Sequence, residues 1–285
     1  MKEYLDLVEN VLTTGVLKKN RTGVDTIATF AQHYSVDLSK GYSLLTTKKM
    51  QTKSLFHEFL WYLSGEEHIR NLQRHTKIWD AWQDKHGNLE TSYGRYWRRF
   101  PVPEKGAVLD GELMAGEDHP CVRREANGAL VFDQIRYVID SIKVNPDSRR
   151  LVVSAWHPAN AAISKLPACH YSFVLNVLDG KLNCHLTQRS GDIALGIPFN
   201  LAAYDLLTRT IAQQVGLEPG IFSHTIVDAH IYVNHIAGLK EQLKRTPKRL
   251  PTVTIAKKPL DDLRFEDFTL EGYECDEPIK FEVAV

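Results

Sequence analysis

The chain has 285 residues, 43% hydrophobic and 25% charged, the proportions of a soluble globular protein with one large core or two modest domains. Its 35 basic and 35 acidic residues cancel, which argues against a general nucleic-acid binder but leaves room for a local anion site. Four scattered cysteines (Cys121, Cys169, Cys184, Cys275) form no C-x-x-C pair and no dense disulfide pattern, so a reduced, cytoplasmic setting is expected.

Met1 to Asn10 carries Glu3, Asp6 and Glu9 and reads as no signal peptide. No run approaches the roughly 18 apolar residues of a membrane helix, so no membrane partner is expected. Tyr4 to Leu12 predicts an amphipathic helix that stops near Gly15. Lys18 to Gly23 reads as a polar, basic turn, and Thr26 to Tyr34 as extended. Within 52–63, Leu55, Phe56, Phe59, Leu60 and Leu63 fall at helical spacing, with an end expected at Gly65. Residues 106–128, rich in Gly, Glu, Asp and Pro, read as a surface insertion in a single domain spanning 1–285. Phe132 to Ile142 predicts a helix, ended by Asn145-Pro146-Asp147, and Leu151 to Trp156 a strand. Tyr171 to Leu178 and Leu182 to Gln188 flank Asp179-Gly180 as a hairpin. Phe199 to Val215 reads as a long apolar helix, Ile221 to Tyr232 as mixed, and 250–255 and 265–270 as short late elements. Long helices with antiparallel strands favour an α+β fold.

A cysteine followed by an anion-binding cluster carries the chemistry. Leu166-Pro167-Ala168-Cys169-His170 precedes Gln188-Arg189-Ser190-Gly191-Asp192 and then Gly196-Ile197-Pro198-Phe199-Asn200. A thiol attacks electron-poor carbon, arginine beside serine holds phosphate, and an asparagine amide reads a polar ring edge. Covalent catalysis on a phosphorylated heterocycle follows. Taken alone, Cys169 is also compatible with an inert core thiol, although His170 and nearby arginines would favour thiolate. Arg149-Arg150 reads as a solvated pair or a phosphate site, and Arg21 raises the same question. Glu58 sits either at the edge of its helix or inward, where a buried carboxylate can handle protons. His230 and Tyr232 alternate, so on a strand they share a face suited to a sugar hydroxyl or a polar patch. Trp79 and Trp82 fit a core or the wall of a flat pocket. Asp228, His230 and His235 complete no convincing ligand set, so no metal is expected.

Arg21-Thr22-Gly23, Leu45-Thr46-Thr47-Lys48-Lys49, His57-Glu58, Ile78-Trp79-Asp80-Ala81-Trp82, Tyr93-Gly94, Trp97-Arg98 and Ser148-Arg149-Arg150 occur in order. Leu166 to His170, Gln188 to Asp192, Gly196 to Asn200, Asp228 to Tyr232 with Asn234-His235, and Val283-Ala284-Val285 continue the set. Together they resemble the thymidylate synthase family over the whole chain outside 106–128. The resemblance implies a mixed β-sheet covered by helices and a sheet-to-sheet homodimer. It also implies conversion of dUMP to dTMP with 5,10-methylenetetrahydrofolate as carbon and hydride donor, giving dihydrofolate. Cys169 would add to C6 of dUMP, and no metal would be needed.

Residue roles follow from the same resemblance. Arg21, Arg189 and Ser190 would hold the phosphate, and Arg149 and Arg150 would reach it from the other subunit. Asn200 would read the uracil edge, with His170 and Gln188 on the substrate side, and His230 and Tyr232 would hold the 3′-hydroxyl. Glu58 would organise proton movements and Tyr93 would assist loss of the C5 proton. Asp192, Trp79, Trp82, Gln51, Ala284 and Val285 would border the folate, with Val285 closing the site. Glu66-Glu67-His68, Tyr96, Gln51 and Gly191 depart from the usual pattern and leave room for altered folate contacts. A dUMP hydroxymethylase, in which water captures the methylene, is the alternative within the fold. RNA binding is a secondary partner class, and a degenerate structural dimer a third reading.

Overall fold

The computed structural model describes residues 1–89, 93–103 and 115–284, so Val285 and part of the 106–128 segment lie outside the described residues. From the N-terminus, α1 (Lys2–Thr14) leads into β1 (Val16–Lys18) and β2 (Thr26–Asp37), followed by α2 (Thr52–Ser64), α3 (Arg70–Gln73) and α4 (Tyr93–Arg98). Next come β3 (Phe100–Val102), β4 (Val122–Arg124), β5 (Leu130–Phe132), α5 (Gln134–Val144), β6 (Val152–Ser154) and α6 (Pro158–Ala161). The chain continues through β7 (His170–Leu178), β8 (Lys181–Asp192), α7 (Gly196–Val215), β9 (Glu218–Tyr232) and α8 (Ile236–Leu243), and ends on β10 (Thr252–Ile255) and β11 (Phe268–Glu271).

Six strands form the central sheet in the order β1-β2-β9-β8-β7-β6. β8 and β9 run parallel and every other neighbouring pair is antiparallel, so the sheet is mixed. The β8–β9 crossover is α7, as a parallel connection requires. α7 is buried almost all round, against β8, β9, α2 and α5, which explains its continuous apolar sequence. Pro198 sits in its first turn, where a missing N–H costs little, and Gly216 closes it at φ 72°. Asp179 (φ 50°) and Gly180 (φ 70°) make the tight β7–β8 turn, a backbone that suits these two residue types.

A kink crosses the sheet at one level. In β8 the inward-facing positions are even-numbered up to Gln188 and odd-numbered from Gly191; β9 switches likewise between Ile226 and Ala229. The β7–β8 register shifts between His170 and Ser172, and Ala31 in β2 adopts φ 57° at the same height. Such irregularities bend strands and re-aim side chains. Beyond the kink, Arg189, Ser190, Asp192, Asp228 and His230 line a cleft. On the sheet's other face Val152, Val174 and Ile221 are exposed, and Phe30, at the kink, is 82% exposed.

Where the chain departs from the periodicity, the reasons are local. The helix after Phe132 starts at Gln134, because Asp133 caps it and Phe132 ends β5. The mixed stretch before Tyr232 is one 15-residue strand whose alternation is interrupted by the kink. Val122–Arg124, inside 106–128, is an edge strand of a three-stranded sheet, with Cys121 and Val122 buried beneath it.

α2 and α4 approach closely because Gly94 has no side chain: a Cβ there would lie 2.0 Å from the Tyr62 carbonyl oxygen. The contact sets Trp97 edge-on to Phe173 and Tyr204 in the core. Gly94→Ala is therefore expected to destabilise the fold by about 1–3 kcal/mol, the usual cost of overpacking. An unchanged urea midpoint for that variant would show that the helices separate freely.

Candidate active site

The cleft has a volume of about 740 Å³ and lies at the kinked end of the sheet. That size suits a small-molecule ligand. Cys169 stands at the start of β7, partly exposed on its wall. Its N–H donates to the Tyr93 hydroxyl at 3.0 Å, and Arg189 Nη2 lies 3.5 Å from Sγ. Burial pushes the thiol up, while Arg189, the Tyr93 hydroxyl and Arg21 pull it back. Arg189 also donates to the carbonyls of Ala168 and Pro167, at 2.9 and 2.6 Å, which fixes the Cys169 loop against β8.

His170 does not serve the thiol. It faces into the core, stacked on Tyr93 at 3.6 Å, with Nδ1 3.0 Å from the Tyr204 hydroxyl. Burial drives its pKa down to about 3, so it is neutral and lends no positive charge to Cys169. Of the groups expected to favour the thiolate, Arg189 and Arg21 do so and His170 does not.

Glu58 points inward. Tyr62 and Trp79 both donate to its Oε1, at 3.1 and 2.7 Å. Burial raises its pKa to about 7 against the pull of those two bonds. Trp79 and Trp82 meet edge to face at 5.5 Å on the cleft wall, with Ile78, Phe199 and Phe281 also lining it. Gln51 and Ala284 border the same wall. Asp192 Oδ1 accepts from the N–H groups of Ala194 and Leu195, which fixes the turn into α7. Gln188 Nε2 donates to Asn200 Oδ1 at 3.1 Å. His230 Nδ1 bonds Asp228 Oδ1 at 3.0 Å, and Lys18 pairs with the same carboxylate. The His230 bond first, then Lys18, hold Asp228 down to about 2.

Arg21, Ser190 and Tyr232 also line the cleft. Arg149 and Arg150 do not: both are exposed on the turn between α5 and β6, beside a separate open hollow bordered by Tyr137 and Asp140. Val285 lies outside the described residues.

Sequence reasoning missed Tyr62, Lys48 and Lys165. Tyr62 is four residues from Glu58, so their pairing was available from helical spacing. Lys48 is buried, donates to the Ala194 carbonyl at 2.5 Å and lies 4.8 Å from the Phe281 ring. Burial lowers its pKa to about 8, with Asp192 opposing. Lys165, on the cleft rim, donates to the Ala81 carbonyl. Among the described residues, no group of three or more His, Cys, Asp or Glu side chains is placed to hold a metal, and no helix is long and apolar enough to cross a membrane.

A partly exposed thiol beside guanidinium groups, with an amide and a buried carboxyl in one cleft, defines a nucleophilic enzyme for a small anionic substrate. The family model described as Thymidylate synthase matches residues 2–285. A protein named thymidylate synthase from Haloferax volcanii is 47% identical, over 98% of this chain and 95% of its own length. The chain belongs to the thymidylate synthase family.

Glu58 gives a signed test. Its folded pKa of about 7 lies above the ordinary value of 4.5, so the stability it allows is present below 4.5 and lost as pH rises through 7. Relative to the wild type, Glu58→Gln should therefore gain about 3 kcal/mol between about pH 4.5 and about pH 8.5 in urea unfolding. A pH-independent difference would mean that Glu58 titrates normally.

Proposed function

We propose that this cleft performs the thymidylate synthase reaction through Cys169. The reaction is reductive methylation of dUMP to dTMP, in which 5,10-methylenetetrahydrofolate supplies carbon and hydride and leaves as dihydrofolate. The observation that carries the residue assignment is the Cys169 thiol 3.5 Å from Arg189, in a cleft that also holds Asn200, His230 and Glu58.

Cys169 attacks C6 of the pyrimidine. Arg189, Arg21 and the Ser190 hydroxyl hold the phosphate, and the same arginines favour the thiolate. Occupation by phosphate would draw Arg189 from the Pro167 and Ala168 carbonyls it now bonds. Asn200, steadied by Gln188, reads the base edge. His230 donates through Nδ1 to Asp228, which leaves its Nε2 to meet a 3′-hydroxyl, with Tyr232 alongside. Glu58, with a pKa of about 7, can both give and take a proton near neutrality. The Tyr93 hydroxyl, already at Cys169, is placed to assist removal of the C5 proton. His170 acts as a packed neighbour of the nucleophile.

The aromatic and apolar wall of Trp79, Trp82, Ile78 and Phe281, with Asp192 and Gln51 beside it, fits a flat folate ring carrying polar edges. Ala284 borders that side and would help exclude water there.

The working unit is a homodimer with its sheets face to face. The exposed apolar residues Val152, Val174 and Ile221 support this, as does the position of Arg149 and Arg150 away from their own cleft. Each arginine pair then serves the partner's phosphate site. The single domain spans 1–285, with 106–128 as an elaboration of its surface. Four free thiols support a cytoplasmic setting. RNA binding remains a secondary partner class, separable by surface lysine changes that spare turnover.

Incubation with dUMP and methylenetetrahydrofolate should yield a methylated nucleotide and dihydrofolate by mass. A hydroxymethyl product with tetrahydrofolate would move the chain to the water-capturing reaction. Cys169→Ala should abolish turnover yet still bind nucleotide; substantial residual turnover would defeat the covalent assignment. Arg149→Ala mixed with Cys169→Ala should regain activity through one hybrid site, and silence despite subunit exchange would remove the shared site.

A further inference from the structure

From the cleft wall a chain of buried polar groups runs down into the sheet, from Asn200 through Gln188 and His224 to Tyr34. Gln188 is 2% exposed and its two amide ends meet different partners. Its Nε2 lies 2.9 Å from the Ser190 carbonyl oxygen and 3.1 Å from Asn200 Oδ1. A backbone carbonyl only accepts, so the end of Gln188 facing Ser190 must be the NH2 group. The Asn200 atom facing that NH2 must then be the amide oxygen.

At the other end, Gln188 Oε1 lies 3.1 Å from His224 Nε2. An amide oxygen only accepts, so Nε2 carries the proton. Burial first, then His170, His185 and His33, hold His224 far below the ordinary histidine range, so the ring is neutral. Its Nδ1 is left as an acceptor, and the Tyr34 hydroxyl donates to it at 2.9 Å. The sheet enforces this order: Tyr34 opposes His224 across β2 and β9, and His224 opposes Leu186, two residues before Gln188 on β8.

We infer that Tyr34 and His224 are positioning residues for base selection, acting through Gln188 to fix which end of the Asn200 amide faces which way. The inference rests on Asn200 contacting the base. Uracil shows a carbonyl acceptor beside an N–H donor, whereas cytosine shows an amino donor beside a ring-nitrogen acceptor. The two edges are opposite in polarity, so an asparagine amide turned end for end would change its match from uracil to cytosine. Turning Asn200 sets its NH2 against the Gln188 NH2. Turning Gln188 as well sets its oxygen against the Ser190 carbonyl and its NH2 against the His224 N–H. Neither Tyr34 nor His224 lines the cleft, so their effect on the base is indirect.

Tyr34→Phe removes the donor to Nδ1 and keeps the ring that packs edge-on to His224 at 5.3 Å. Equilibrium binding of dUMP and dCMP is measured for the wild type, Tyr34→Phe, Asn200→Asp and the double variant. In Tyr34→Phe the preference for dUMP over dCMP should fall about five- to tenfold, the scale of one lost hydrogen bond. A carboxylate has no distinct ends to orient, so Tyr34→Phe should leave the preference unchanged in the Asn200→Asp background. Parallel weakening of both nucleotides, an unaltered preference, or an equal shift in both backgrounds would overturn the inference. An Asn200→Asp protein with wild-type base preference would instead bring down the Asn200 reading itself, and this inference with it.

Discussion

Three neighbouring strands bring the reactive groups of this enzyme to one end of one sheet, and their register decides whether a site exists. His170 opposes Gln188, Ser190 opposes Asp228, and Asp192 opposes His230. Cys169, Arg189, Asn200 and His230 are far apart in sequence and share a cleft through these pairings. A slip of one residue would turn every side chain to the other face. The kink between Gln188 and Gly191 adds a second condition. Below it, even-numbered residues pack into the core; beyond it, Arg189, Ser190 and Asp192 are free to face the cleft while Gly191 turns inward. A Cβ at Gly191 would lie 2.6 Å from Ile197 Cδ1 and 2.9 Å from Ile226 Cγ2, so those two side chains would have to shift to admit one.

The site separates charge by depth. Its floor is buried and largely neutral: His170 and His224 are held unprotonated, and Gln188 and Tyr204 carry no charge. Its rim carries Arg21, Arg189, Lys18 and Asp228. A phosphate can therefore bind where solvent and guanidinium groups meet it, while a heterocycle enters a region where hydrogen bonds count for more. Glu58 belongs to the buried part, where burial raises its pKa to about 7 and the two donors on Oε1 offset part of that rise.

Much of this was legible in the residues. The end of α2 at Gly65 was readable because a left-handed cap favours glycine. The Asp179-Gly180 hairpin was readable for the same kind of reason. The kink was not, because its signal is a change of parity that short windows average away, and it made Ile221 to Tyr232 look mixed. For the site, residue types at close spacing exposed Cys169 and the Gln188–Asp192 cluster. His170 was misjudged because adjacency in a strand places neighbouring side chains on opposite faces. Lys48 escaped assignment because burial, which lowers its pKa, depends on contacts with Ala194 and Phe281 from distant segments.

Arg149 and Arg150 line a hollow separate from the cleft of their own chain. Their own cleft already holds two arginines, Arg21 and Arg189, yet Arg189 is tied to the Pro167 and Ala168 carbonyls. A dianionic phosphate would compete for that guanidinium, and releasing it would loosen the Cys169 loop unless other cations share the load. Arg149 and Arg150, exposed on the turn into edge strand β6, stand away from this cleft and share none of that load within the same chain. Phosphate binding and the position of the Cys169 loop are thus coupled through one guanidinium, that of Arg189, which bonds the Pro167 and Ala168 carbonyls and lies beside the thiol.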